Sequence, residues 1–364
     1  MNTAVKLVSS FILAFFTAAS IAATTPHKSP NDDRQYSAYS LKNKLQVLLV
    51  SDSGSTKAAA ALDVNVGSGD DPQDRNGLAH FLEHMLFLGT ERYPEVGAYQ
   101  QFVKEHGGST NAVTSCEKTT YFFTVAPESL QPALERFSDF FISPLFDEDY
   151  VQREINAVES EYRTGLEKQN RRTLEALQAQ ANPAHPFRKF TVGNAQTLKH
   201  DDIVGRLKLF FKQHYTADRM TLSVSSSQDI ATLEAWVRDQ FQAIDPATSK
   251  HNLQAGGYGP LFRADESDAL SKLLVVKSLK PARKIRLNFP MPDLRKWYLV
   301  KPAEYLAEML GDESPGSVAR YLKDQGLIES LTTSVDLHYS GGSLFTVNIN
   351  ATESGMEHPE SIVK

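Results

Sequence analysis

The chain has 364 residues, 41% of them hydrophobic and 23% charged, with a net charge of −6 at neutral pH. That balance excludes nucleic acid as an expected partner, since a phosphate backbone is met with excess basic charge, and the length allows two packed domains. The lone cysteine, Cys116, excludes an internal disulfide, so stability has to come from buried apolar surface.

Taken in chain order, the first segment reads as an address. Lys6 supplies a positive start, residues 7–18 an apolar core, and Ser20-Ile21-Ala22 a small-x-small site before Ala23. This is the pattern of a cleavable signal peptide over residues 1–23, and in a Gram-negative-like cell it leads to the periplasm. The apolar run is too short, and too abruptly followed by polar residues 24–33, for a comfortable transmembrane span. An uncleaved anchor is the alternative. No later stretch is apolar enough to cross a membrane. Residues 46–50, 58–66, 119–125 and 220–225 then pattern as strands, and residues 77–87, 99–105, 129–141 and 149–180 as helices. The mixture predicts an α+β architecture with helices packed on a mostly antiparallel sheet.

Within the first of those helices lies His80-Phe81-Leu82-Glu83-His84. Successive helical residues turn by about 100°, so His80, Glu83 and His84 project from one side. Two imidazoles one turn apart can grip one Zn²⁺, and the carboxylate between them faces whatever the metal activates. Leu78, Phe81, Leu82, Met85, Leu86 and Leu88 make the helix largely apolar around these groups. Burying two histidines and a glutamate there is costly unless they are paired or hold a metal.

A catalytic zinc needs a third protein ligand and one open position. The helix 149–180 offers Glu154 and Glu161, seven residues apart and on one face, whereas Glu159 points away and is expected on the solvated side. One of the two inward carboxylates would ligate and the other would hold a ligating histidine by hydrogen bond. Spacing does not decide which. Residues 111–125 alternate apolar and polar as a strand, and Asn111 and Ala112 stand at its start, after a glycine-rich turn. The basic cluster 168–172 reads as a solvated helix face, and His106, His185 and His214 lack a partner at ligand spacing and are expected to be structural. Turn formers and few periodic apolar residues mark 249–264 as a linker. It separates a metal-bearing domain, residues 24–248, from a shorter segment, residues 265–364. In that segment Ala303-Glu304-Tyr305-Leu306-Ala307-Glu308-Met309-Leu310 can be laid over Ala79 to Leu86 with four identities in eight. The packing positions agree, while Glu304, Ala307 and Glu308 replace the chemical ones, as in a duplicated domain that kept its core and lost its metal.

His80-x-x-Glu83-His84, the inverted form of the commoner zinc motif, together with Glu161 downstream, resembles the insulinase/pitrilysin family of zinc metallopeptidases, in its bacterial pitrilysin-like branch. Gly107-Gly108-Ser109-Thr110-Asn111-Ala112, Asn182-Pro183-Ala184-His185-Pro186-Phe187 and Gly193-Asn194 agree with it, and the likeness runs from about residue 35 to the last residue. The resemblance implies a zinc endopeptidase with His80, His84 and Glu161 as ligands of one Zn²⁺ per chain. It makes Glu83 the general base and Glu154 the carboxylate that holds a ligating histidine. Zinc would bring the pKa of water from ~15.7 towards ~7, and Glu83 would take that water's proton and later pass it to the leaving amine. Asn111 and Ala112 would lie on an edge strand that pairs with an extended peptide substrate. Cys116 departs from the glycine common among relatives, which predicts a small packing change.

Family members normally carry four homologous domains, with zinc in the first only, and a C-terminal half that closes over the site. The chain resembles the N-terminal portion only, and its second domain is expected to be incomplete. A C-terminal half, or a separate chain, would complete the chamber, and apolar residues such as Leu344, Phe345, Val347 and Ile349 would lack their covering helices. Two rival readings stand beside the enzyme: a catalytically weak or inactive truncated member acting as a peptide-binding or scaffold subunit, and a zinc hydrolase with an unrelated substrate.

Overall fold

Alternation of buried and open positions along Ala58–Val64 and Thr119–Val125 puts these two segments inside a sheet with one face on the core. The computed structural model describes residues 28–246, 259–263 and 272–364. The expected signal segment and most of the expected linker lie outside the described residues. In chain order the first unit runs β1 (Gln35–Ser40), β2 (Gln46–Ser51), β3 (Ala58–Val64), α1 (Leu78–Leu86), α2 (Ala98–Glu105), β4 (Ser109–Thr114), β5 (Thr119–Val125), α3 (Leu130–Asp139), α4 (Glu148–Leu166), α5 (Gln169–Gln178), α6 (Ala195–Leu198), α7 (Ile203–His214), β6 (Met220–Ser226) and α8 (Ile230–Phe241). Its strands form one open sheet in the order β1-β2-β6-β3-β5-β4. Only β2 and β6 run parallel; every other pair is antiparallel. The α+β layer expected from the sequence is therefore present, with β4 at one edge.

Helices α1, α2, α3, α7 and α8 cover this sheet with a continuous apolar core that includes Leu62, Phe81, Tyr121, Phe137 and Phe241. Leu62 lies mid-sheet between Tyr121 and Leu222 and is fully buried. Leu62→Ala is expected to cost about 2–5 kcal/mol, the usual range for a large side chain removed from a packed core. Urea unfolding of the two proteins measures it.

Three expected elements differ. The single helix 149–180 is broken into α4 and α5, because Gly165 weakens the end of α4 and Lys168 is extended (φ −94°, ψ 121°). The strand 111–125 is a hairpin: the Ser115 amide donates to the Lys118 carbonyl, and the Ser115 hydroxyl donates to the same carbonyl and accepts from the Lys118 amide, closing the turn. Residues 261 and 262 of the expected linker are not loose. Leu261 and Phe262 pack with Phe187 and Leu344, and the Leu261 carbonyl accepts from the Asn182 amide at 2.9 Å.

The second unit contains β7 (Lys284–Met291), α9 (Pro302–Gly311), α10 (Val318–Asp324), β8 (Ile328–Tyr339), β9 (Gly342–Ala351), α11 (Glu353–Glu357) and α12 (Pro359–Val363), with strand order β7-β9-β8, all antiparallel. The run β7–α9–α10–β8–β9 repeats β3–α1–α2–β4–β5 in order and pairing, so α9 holds the place in its unit that α1 holds in the first. Contrary to expectation, Leu344, Phe345, Val347 and Ile349 are buried. Phe345, Val347 and Ile349 pack with Ala307 of α9 and Ala319 and Leu322 of α10, because those helices already lie over this face. Apolar residues left open include Tyr305 and Met309 of α9, Phe289 of β7 and Leu299 before α9. The β8–β9 turn is gripped by the first unit. Glu117 accepts from the Ser340 amide at 2.7 Å and pairs with Arg295, while His185 Nε2 donates to the Ser340 carbonyl at 3.0 Å.

Candidate metal centre

Helix α1 begins at Gly77, whose φ of +91° suits a residue without Cβ. The buried Asp71 carboxylate supplies the cap that Gly77 lacks, accepting from the amides of Gly77 at 2.6 Å and Ala79 at 2.8 Å. One face of the helix (Leu78, Phe81, Leu82, Met85) enters the core, and this leaves His80 and His84, one turn apart, turned towards α4. Their rings meet edge to face with centroids 4.7 Å apart.

Glu161 Oε2 lies 3.7 Å from His80 Nε2 and 3.5 Å from His84 Nε2. These three donor atoms fall within 4.8 Å of one another, and the 3.7 and 3.5 Å separations from Glu161 are ones that an ion at bonds of ~2.0–2.2 Å can bridge. Each ring's other nitrogen is held. His80 Nδ1 donates to the Val192 carbonyl at 2.8 Å, which leaves the Nε2 lone pair free. His84 Nδ1 faces Glu154 Oε2 at 3.5 Å. Two imidazoles and one carboxylate are the chemistry of a catalytic zinc with an open fourth position, and the residues present fit that ion.

Electrostatics separate the groups. Burial, and then the neighbouring His84, push the His80 pKa down. Burial would also lower His84, but its hydrogen bonds to Glu154 and Glu161 prevail and raise it to about 9. The same contacts with His84 hold both carboxylates below the usual range. Glu83 is 8% exposed and burial pushes its pKa up, opposed by the Thr114 hydroxyl, which donates to Glu83 Oε2.

The structure thus brings His80, Glu83, His84, Glu154 and Glu161 together. Asn111 and Ala112 lie on β4, the strand whose Thr114 bonds Glu83 and whose outer edge is unpaired among the described residues. Glu159 does not simply face water: Glu159 Oε2 accepts from the Ala195 amide at 2.9 Å. His185 and His214 make ring hydrogen bonds away from the centre, as expected of structural residues. Cys116 is buried beside Gly67 and Gly69, and its thiol is pushed up to about 12 by burial, so it stays protonated and inert. Sequence reasoning missed Thr114, Asp71 and the Val192 carbonyl. A polar residue at the end of the strand facing α1 could have pointed to Thr114, but a backbone carbonyl leaves no signature.

Residues 46–193 match the insulinase family (peptidase family M16) and residues 203–364 the peptidase M16 inactive domain. The chain is 37% identical over 348 residues to the insulin-degrading enzyme of Homo sapiens, covering 92% of this chain and 33% of that protein. It is 36% identical to the A-factor-processing enzyme of Saccharomyces cerevisiae, covering 91% of this chain and 32% of that protein. The crystal structure of pitrilysin superposes with a TM-score of 0.81 at 29% identity, covering 93% of this chain and 36% of that one. The chain spans about a third of the length of the curated relatives it matches.

Proposed function

The chain belongs to the insulinase family of peptidases, M16, and from that premise we propose that it is a zinc-dependent metalloendopeptidase, or the zinc-bearing part of one, that hydrolyses peptides and small proteins. The observation that carries the reading is the convergence of His80, His84 and Glu161 donor atoms beside a buried Glu83 that joins neither ring. In this reading those three side chains hold one Zn²⁺, and Glu154 keeps the His84 ring in place. When bound, the ion supplies a Lewis-acid centre that makes water a nucleophile near neutral pH and polarises the scissile carbonyl.

Glu83 then takes the water's proton on its carboxylate and returns it to the leaving amine nitrogen. Thr114 orients that carboxylate. An extended peptide would lie along the open edge of β4 at Asn111 and Ala112, adding a strand to the sheet. A hydrogen bond to a charged group is worth about 1.5–3 kcal/mol, so Thr114→Val should lower kcat roughly ten- to hundredfold with KM nearly unchanged, and Thr114→Ser should restore most of it. A Val variant with wild-type kcat would remove Thr114 from the reaction.

Three further assignments belong to the same reading: residues 24–248 as the catalytic domain, 249–264 as a linker, and 265–364 as a domain of the same type without the metal motif. Among the described residues no helix is long and apolar enough to cross a membrane. Export to the periplasm rests on residues 1–23, and N-terminal sequencing of the secreted protein should begin at Ala23 or Thr24. A product that still starts at Met1 would refute it. Because the relatives are about three times longer, turnover is proposed to need a C-terminal half or a separate chain that encloses the peptide and excludes water. Residues 24–364 alone should hold zinc yet cleave a quenched peptide far more slowly than the same residues joined to the remainder of a relative. Equal specific activity in the two would show that no such partner is required.

A further inference from the structure

Glu154, Glu159 and Glu161 of helix α4 each meet other parts of the first unit, and only Glu154 and Glu161 reach the histidine rings. Glu159, which side-chain spacing places away from Glu154 and Glu161, has both oxygens engaged: Oε1 with Arg163 Nε at 2.6 Å and Oε2 with the Ala195 amide at 2.9 Å. Ala195 opens α6, and Asn194 just before it bonds Thr197 through both its amide and its side chain. Two residues before Asn194 lies Val192, whose carbonyl accepts from His80 Nδ1. The loop that orients the His80 ring is therefore tied to the helix that carries Glu161.

On its other side the same loop is fixed by a contact that tolerates no side chain. Gly193 (φ +79°) rests on Gly77 (φ +91°), the residue that starts α1. A Cβ on Gly77 would sit 2.2 Å from Gly193 Cα, and one on Gly193 would sit 3.0 Å from Gly77 Cα and 3.1 Å from Leu198 Cδ1. Lys189 adds a further tie, donating to the carbonyls of Gly69 at 2.7 Å and Asp71 at 2.8 Å. Asp71 in turn caps α1. His80 Nδ1 thus meets an acceptor fixed relative to both α1 and α4.

We propose that Glu159 is a positioning residue for the metal centre, fixing the loop of residues 192–195 so that the Val192 carbonyl presets the His80 ring with Nε2 turned towards Glu161. It rests on the zinc reading above and extends it. Glu154 acts on His84 directly, and Glu159 acts on His80 at one remove. Glu154, Glu159 and Glu161 of α4 then serve a single centre: one donates to the metal and two hold rings. Partners that orient a ligating histidine usually matter by about 10- to 100-fold in metal affinity.

The test uses the full chain, with zinc affinity read by competition against a chromophoric chelator and with ¹⁵N-histidine spectra of the zinc-free protein. Wild type should bind about one zinc, and zinc-free His80 should be the Nδ1–H tautomer. Glu159→Ala should weaken zinc roughly 10- to 100-fold and mix the His80 tautomers, with unchanged circular dichroism. Glu159→Gln keeps an acceptor for the Ala195 amide and should stay within a few-fold of wild type. Arg163→Ala, which leaves the Ala195 bond intact, should do the same. Gly193→Ala should resemble Glu159→Ala. A purely structural role would lower the thermal midpoint of Glu159→Ala while zinc affinity and the His80 tautomer stayed at wild-type values, and that outcome overturns the proposal. Failure of wild type to bind zinc would instead sink the zinc reading, with the ¹⁵N spectra still deciding whether Glu159 sets the ring.

Discussion

Glu83→Gln should leave the zinc content at about one per chain while removing nearly all peptide turnover, a loss of roughly 10²–10⁴-fold, the usual contribution of a general base. The two halves of this expectation have different sources. Metal is retained because the converging donor atoms belong to His80, His84 and Glu161, none of which the substitution touches. Turnover is lost because an amide cannot take a proton from water. Glutamine has the shape of glutamate and can still accept the hydrogen bond from Thr114, so neither packing nor orientation explains the deficit. Atomic emission and a quenched-peptide assay, run on a form of the protein that turns over wild-type substrate, measure the two quantities. Undiminished activity in the variant would place the base elsewhere.

Glu161→Gln is expected to lose most of the metal, and Glu154→Gln to weaken it by about 10- to 100-fold without abolishing it. Both residues are on α4 and both face His84, yet they meet different nitrogens. Glu161 Oε2 closes on the two Nε2 atoms, at 3.7 and 3.5 Å, whereas Glu154 Oε2 faces His84 Nδ1 at 3.5 Å. Removing the anionic donor leaves two neutral imidazoles, which cannot hold zinc in a three-ligand site. Removing the carboxylate behind His84 only frees a ring that remains a ligand. His84→Ala should behave like Glu161→Gln. Equal zinc in wild type, Glu161→Gln and His84→Ala after dialysis would defeat the ligand assignment, and a reversed ranking of the two glutamates would exchange their roles.

The parts of this site legible in the sequence are those fixed by helical geometry. His80, Glu83 and His84 follow from a period of 3.6 residues, and so do Glu154 and Glu161 as a pair on one face. Which member of the pair closes on the ring nitrogens depends on how α1 crosses α4, and no local pattern encodes that crossing. Glu159 was misjudged for a related reason: a residue can face away from the metal and still be held by a loop that returns from far along the chain. The same limit explains the fold. Central strands such as Thr119–Val125 announce themselves by alternation. The break between α4 and α5 was missed because Glu167, Lys168 and Gln169 are good helix formers. Burial of Phe345, Val347 and Ile349 depends on α9 and α10 folding over the sheet, and that of Leu344 on Leu261 and Phe262 returning to its other face, neither of which composition reveals.

The spacing of the donors along the chain has a consequence for biosynthesis. His80 and His84 emerge from the ribosome together, but Glu161 follows 77 residues after His84 (161 − 84), and the carbonyl that orients His80 later still, at Val192. Until β4, β5, α3 and α4 have been made and packed, the nascent helix offers two imidazoles and not the third ligand that a catalytic zinc site requires. In the zinc reading proposed above, metal would enter after the first unit has folded, and the compartment in which the chain folds would set the supply from which the ion is drawn.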